Sequence, residues 1–264
     1  MNILVPINFC EPSLKGINYA LSVADSTRDQ ITTIQVIAPN KPQTAKLAHK
    51  MQELQWEEDQ SIHKEKLIEF LAKTSNPDFP YKEHLLRKGD PSKRVLVETL
   101  DNDYDLIIMG TKGGSKLKTT IFGSSTFNLL KMATIPALIV PGKWTDTDVD
   151  HACIALQFDN MITPICDRLI NVSKSLGYRP SIMTVVKKVE SEVGISLTHK
   201  NENYPIHFFE NKKPTKAISK YIEDNNVSLL CLHFNIYSSI SSLIYTSAAE
   251  EFSFRSPIPT LFTK

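Results

Sequence analysis

The residues whose types and spacing could do chemistry lie close together. They are Gly110-Thr111-Lys112-Gly113, then nine residues, then Gly123-Ser124-Ser125-Thr126. Written as a pattern this is G-x2-G-x9-G-S-S-T. Glycine lets the backbone approach a ligand and adopt positive φ. Hydroxyl residues opening a helix add donors beside its free N–H groups and its positive dipole end. Lys112 adds a cation. The implied chemistry is an anion cradle suited to phosphate. Taken singly, each residue has a plainer explanation: the glycines make turns and Ser124 caps a helix. Taken together, at one end of one strand, they point to a ligand.

The elements that must position this loop follow from hydrophobic periodicity. Ile3 to Ile7 is a short apolar run and reads as a strand. Leu14, Ile17, Ala20, Leu21 and Ala24 recur at helical spacing, which predicts a helix over Ser13 to Ala24. Ile31 to Ala38 is β-branched and reads as a strand. The polar stretch from Thr44 to Thr74 predicts one long helix or two shorter ones. Tyr81 to Leu86 is a third strand, and Gly89-Asp90-Pro91-Ser92 turns into a helix continuing through Val95 to Leu100. Leu106 to Met109 is apolar throughout, so it reads as a central strand. A helix over Ser124 to Ala133 and a strand over Ala137 to Val140 complete the unit. Strict alternation of strand and helix predicts a parallel, doubly wound α/β sheet. Gly110 and Gly113 then fall just past the carboxyl end of a central strand, where such sheets bind ligands.

The pattern restarts after a polar, turn-rich stretch. Strands are expected at Ala152 to Leu156, Ser181 to Val186, Tyr204 to Phe209, Leu229 to Leu232 and Thr260 to Phe262, with helices at Ile165 to Ser175, Thr215 to Asp224 and Ser247 to Phe254. Over its last fifty or so residues the second half overlays the first without gaps at an offset of 123, with Pro91 on Pro214, Leu106-Ile107-Ile108-Met109 on Leu229-Leu230-Cys231-Leu232, and Ile135-Pro136 on Ile258-Pro259. The repeating unit is a whole α/β domain. The expected organisation is a domain over 1–143, a linker over 144–150 and a drifted second copy over 151–264. At about 150 residues per domain, the 264-residue length agrees.

The spacing G-x2-G-x9-G-S/T, the opening Ile3-Leu4-Val5-Pro6-Ile7-Asn8-Phe9 and the ending Ile135-Pro136-Ala137-Leu138-Ile139-Val140-Pro141 together resemble the universal stress protein family. The duplicated unit resembles its two-domain members. The resemblance covers 1 to about 143 well, and the rest in topology and scattered positions. It implies two tandem five-stranded sheets of the adenine nucleotide α-hydrolase-like, Rossmann-like type. It also implies an intramolecular pseudo-dimer made through the last strands; a homodimer of the whole chain is left open by the sequence. It implies that Pro6, Ile7, Asn8 and Val36 line the base and ribose, that Met109 and Gly110 lie against the nucleoside, and that Gly113, Gly123, Ser124, Ser125 and Thr126 hold phosphates, with Lys112 at the loop. The implied ligand is ATP, or AMP or ADP, with or without Mg²⁺. One departure stands out: the family has Asp where this chain has Asn8, and Ser where it has Cys10.

The second copy has lost the cradle. At the same offset Gly110, Gly113 and Gly123 become His233, Ile236 and Thr246, each adding a side chain where the backbone needs clearance. Ser247 remains, but Glu250 and Glu251 follow it and repel phosphate. Seven of nine glycines lie between Gly16 and Gly142. Only the first copy is therefore expected to bind, and His233 reads as a packed residue.

The remaining composition excludes more than it suggests. Lys and Arg total 30 against 29 for Asp and Glu, a net charge of +1, so no global surface for nucleic acid is indicated. No apolar run approaches the ~20 residues that span a bilayer, and the opening residues lack a signal-peptide pattern. Cys10, Cys153, Cys166 and Cys231 show no metal or disulfide spacing and read as small buried residues of a protein in a reducing, cytoplasmic compartment. The acidic run Glu57-Glu58-Asp59 with Lys64 and Lys66 reads as a solvated helix face. His49 and His63 are too far apart for a helical metal pair. The hydrolase, zinc-protease and Walker motifs are absent from the sequence. Three functions follow: a nucleotide-dependent stress or signalling switch, an interaction module without nucleotide, and a slow ATPase.

Overall fold

The computed structural model describes residues 1–38, 48–111, 124–145, 150–156, 164–186, 196–200, 202–210, 213–233, 252 and 256–264. In the N-terminal half the chain runs β1 (Asn2–Pro6), α1 (Glu11–Val23), β2 (Gln30–Ile37), α2 (Ala48–Leu71), β3 (Glu83–Lys88), α3 (Pro91–Asp101), β4 (Leu106–Thr111), α4 (Ser124–Met132) and β5 (Ala137–Pro141). In the C-terminal half it continues β6 (His151–Ala155), α5 (Pro164–Ser175), β7 (Arg179–Val186), β8 (Ser196–His199), β9 (Glu202–Glu210), α6 (Pro214–Asp224), β10 (Leu229–His233) and β11 (Thr260–Thr263). The stretch read as one or two helices is one helix over its described part. The helix expected at Ser247 to Phe254 lies outside the described residues apart from Phe252, which is helical and buried.

The strands form one sheet in the order β3-β2-β1-β4-β5-β11-β10-β6-β7-β9-β8. Within each half the strands pair parallel, as right-handed crossover helices require. The two exceptions are antiparallel. β5 meets β11 with Leu138 opposite Leu261 and Ala137 opposite Phe262, which makes the two halves one sheet. β8 folds back on β9 with Leu197 opposite Tyr204. β8 was not read from the sequence, so the described residues of the C-terminal half form six strands where five were expected. Its four residues alternate exposed and half-buried, a strand signal too short to stand out. The turn between β8 and β9 includes Lys200, which takes a φ of 47°.

Hydrophobic alternation along β1 sends Ile3 and Val5 to one face of the sheet and Leu4 to the other. On the first face lie Ile17, Ala20 and Val23 of α1 and Leu67 and Phe70 of α2. On the second lie Val95 of α3 and Leu129 and Leu130 of α4. The crossover changes face between β1 and β4, so the switch point of this sheet lies there. Both cores run across the β5–β11 joint, because Ala152, Ile154 and Leu261 join the first and Cys153, Leu230 and Phe262 the second. Trp144, read as linker, is buried in the first core, and its N–H donates to the Pro141 carbonyl at 2.9 Å. Its indole is too large to leave in water beside an open apolar face.

Local choices agree with this frame. Asp90 caps α3 by accepting from the Lys93 N–H at 3.0 Å, and Pro91 fills the first helical turn, where no N–H is needed. Such a cap stabilises by about 1 kcal/mol. Among the described residues, no helix is long and apolar enough to cross a membrane. All four cysteines are free; Cys153, Cys166 and Cys231 are buried and Cys10 is partly exposed. Burial pushes the Cys166 thiol up to about 12 and Cys231 higher still, so these two are inert fillers of the core.

Candidate functional site

The site begins where β1 ends. The Ile7 N–H still donates to the Ile34 carbonyl at 2.8 Å, holding the chain beside β2. Phe9 then takes a φ of 59°, a left-handed conformation rare for a bulky residue, and the chain turns into α1. Asn8 organises that turn. Its Oδ1 accepts from the Ser13 hydroxyl at 2.6 Å, from the Cys10 thiol at 2.6 Å and from the Cys10 N–H at 3.4 Å. The Asn8 N–H donates in return to Ser13 Oγ at 3.0 Å. Only the carboxamide oxygen can accept from a backbone N–H, which fixes the orientation of the group. Its NH₂ remains as the donor. An aspartate would keep these acceptor bonds and add a charge; Asn8 keeps the bonds alone.

Beside this turn, between α1, β2 and α2, lies a cavity of about 590 Å³. Phe9, Leu14 and Phe70 form its apolar wall, and Asn8, Cys10 and Gln35 its polar one. Glu11, Lys66, Glu69 and Lys73 complete the lining. Phe9 meets Phe70 edge-on with ring centroids 5.5 Å apart. Behind the wall His63 is buried, 5.5 Å from the Phe9 ring, with its Nδ1 hydrogen-bonded to Gln35 Oε1. Burial, and secondarily His84, hold the His63 pKa below the usual histidine range. His84 is lowered by its own burial, and its Nδ1 pairs with the Thr33 hydroxyl at 2.8 Å.

The β4 side of the switch point is built by close packing. A Cβ placed on Gly110 would lie 1.6 Å from the Pro12 carbonyl oxygen, and one on Gly16 would lie 2.6 Å from the Gly110 nitrogen. Gly110 therefore lacks a side chain because α1 sits on it. The freedom read as room for a ligand is used here by the protein's own backbone. Thr111, the last residue of β4, is buried.

The residues read from the sequence fall into three groups. Ile7 and Met109 are buried, Pro6 and Val36 half-buried, and Asn8 exposed, all at or near the carboxyl ends of β1, β2 and β4. Ser124, Ser125 and Thr126 form the first turn of α4. Lys112, Gly113 and Gly123 lie outside the described residues, as does the whole stretch joining them. The fold brings Asn8 to the cavity but sends Val36 and Met109 into the core of the opposite face. Phe9, Gln35, His63 and Phe70 were not read as site residues. Their signal was hidden because they come from three separate elements, and each alone looks like core. In the C-terminal half, His233 ends β10 with its Nδ1 beside the Thr263 carbonyl at 3.1 Å, and burial lowers its pKa. It is a packed histidine. Among the described residues no group of His, Cys, Asp and Glu could hold a metal ion.

The whole chain superposes on the crystal structure of a universal stress protein from Archaeoglobus fulgidus DSM 4304, with a TM-score of 0.68 and 20% identity, covering 100% of this chain and 98% of that one. It also superposes on a functionally unknown protein from Pseudomonas aeruginosa PAO1, with a TM-score of 0.57 and 13% identity, covering 100% and 92%. At those identities the likeness concerns the fold. In sequence it is 29% identical over 107 residues to the universal stress protein E homolog of Haemophilus influenzae, a match covering 37% of this chain and 35% of that protein. The chain thus spans about a third of the length of that curated relative. The model of the universal stress protein family matches residues 1–141, more than half of the 264. With the alternating α/β fold and the β1–β4 switch point in place, the chain belongs to the universal stress protein family.

Proposed function

We propose that the N-terminal half, taken as a domain over 1–143, binds ATP or a related adenine nucleotide, and that binding changes conformation or partner choice in a stress or signalling role. The observation that carries this reading is the switch point between β1 and β4, with Asn8 and an adjoining cavity on one side and α4 opening on Ser124-Ser125-Thr126 on the other. Open α/β sheets bind ligands at such points, and a helix N-terminus favours phosphate. In this reading Pro6, Ile7 and Asn8 face base and ribose and Lys112, Gly113, Gly123, Ser124, Ser125 and Thr126 the phosphates, while Val36, Met109 and Gly110, packed toward the opposite face or under α1, support the strand ends rather than touch the ligand. The residues described around Asn8 fit a nucleoside's hydroxyls better than a bare cation, because the Asn8 oxygen is uncharged and already accepts from Ser13 and Cys10. Mg²⁺ would therefore be held chiefly by the phosphates. Residues 151–264 serve as a structural partner domain, joined by the stretch 144–150, whose first residue Trp144 is packed in the core, and the whole chain could pair with a second copy.

Asn8 also favours a second reading, an interaction module that binds no nucleotide, since its carbonyl is tied up within the loop. Denaturing the purified protein and identifying released small molecules by mass separates the two. Adenine nucleotide in the extract, with a thermal shift on adding ATP that is lost in the Ser124→Ala/Ser125→Ala variant, supports binding. No nucleotide and no shift leaves the interaction module. Steady phosphate release abolished in that variant would instead identify a slow ATPase.

A further inference from the structure

Helix α1 starts at the cleft and reaches the other half of the molecule. Its first turn is tied to Asn8 through Ser13. Its second turn lies directly on β4, where Gly16 and Gly110 place backbone against backbone. No deformable side chain lies between them, so a shift of one moves the other. Six residues beyond Ser13, about 9 Å along the axis, comes Tyr19. Its hydroxyl is 2.8 Å from the hydroxyl of Tyr178, in the C-terminal half. Both rings are buried, at 1% and 4% exposure. Trp144 meets the Tyr19 ring edge-on at 5.3 Å and fixes its direction.

We propose that α1 couples the cleft at Asn8 to the C-terminal half through the buried Tyr19–Tyr178 hydrogen bond. Away from water, neither hydroxyl replaces its partner cheaply, so the pair moves together. Tyr178 is itself anchored, because its N–H donates to the Ser173 carbonyl at 3.0 Å at the end of α5. The next residue, Arg179, opens β7, which pairs with β6 and β9. Displacement of α1 thus reaches the strands at the far side of the molecule. The half that has lost its glycine loop is in this arrangement the receiver of the signal. The proposal rests on the nucleotide reading only for the identity of the ligand.

Cys10 reports on the start of α1, since the other three cysteines are buried. The experiment measures iodoacetamide labelling of the full chain without nucleotide, mapped by mass spectrometry. In Tyr178→Phe and in Tyr19→Phe, Cys10 should react about fivefold or more faster than in the unmodified protein, the low end of typical coupling between sites. The double variant should react no faster than either single one, because the two hydroxyls act as a unit. Trp144→Phe keeps both hydroxyls and provides a milder variant, with a smaller change of the same sign. Unchanged Cys10 labelling in both tyrosine variants overturns the coupling. So does an equal rise at Cys153, Cys166 and Cys231, which marks general loosening. The readout needs no nucleotide, so it stands or fails separately from the nucleotide reading.

Discussion

Gly16 on α1 and Gly110 on β4 touch through their backbones: a Cβ on the first would lie 2.6 Å from the nitrogen of the second, and Gly110 leaves still less room beside Pro12. Helix and strand are therefore closer here than any side chain permits. Gly110→Ala should cost about 3 kcal/mol or more, the upper end for overpacking, because the obstacle is backbone that cannot rotate away. Gly16→Ala should cost somewhat less. Urea unfolding midpoints of the two variants check this; a Gly110→Ala protein as stable as the parent would show that α1 lifts off freely.

The buried tyrosine pair gives a second expectation. Burial holds the Tyr19 hydroxyl well above the ordinary tyrosine range and pushes Tyr178 up to about 12, so both stay neutral donors and acceptors at physiological pH. Removing one hydroxyl strands the other. Tyr19→Phe should destabilise by about 1–3 kcal/mol, and Tyr19→Phe/Tyr178→Phe by less than the sum of the two single changes. A double-mutant cycle from chemical denaturation measures the difference, and strict additivity would show that the hydroxyls do not interact.

His63 and His84 set a pH dependence. Each has its pKa depressed below the ordinary 6.5, chiefly by burial. The unfolded chain then binds protons that the folded one resists. Stability is accordingly full above about pH 6.5 and falls as the pH drops from there toward the folded-state values. Gln35 and Phe9 face His63 with no carboxylate among them, whereas Glu83 beside His84 offsets part of the burial there, so His63 is the clearer source of the effect. Thermal midpoints between pH 7.5 and 5 should fall in the parent and fall less in His63→Gln. Parallel curves would remove His63 as the source.

Asn8→Asp should fold at least as well as the parent. The carboxylate keeps the bonds from Ser13 and Cys10 and adds negative charge before the first turn of α1, a gain of about 0.3–1 kcal/mol near neutral pH. Ser13→Ala removes the partner on the other side and should cost about 1 kcal/mol. Differential scanning calorimetry of both variants is sufficient. A destabilised Asn8→Asp would mean that the amide donor, rather than the oxygen, holds this turn.

The sequence by itself determined the alternation of strands and helices and the family. These depend on periodicity and local caps, which each segment carries alone: Ile3 to Val5 alternates faces wherever it is placed, and Asp90-Pro91 starts a helix without help. It also marked the unequal glycines, since losing them to His233, Ile236 and Thr246 needs no coordinates to notice. Tertiary structure decided the rest. Whether Gly110 serves a ligand or a helix depends on where α1 lands, and α1 lands on it. Whether Trp144 is linker or core depends on Tyr19 standing beside it. The cavity wall of Phe9, Gln35 and Phe70, and the bond from Tyr19 to Tyr178 across 159 positions of chain, arise only when distant segments pack. Such contacts follow from the packing of whole faces, a property that no single segment carries.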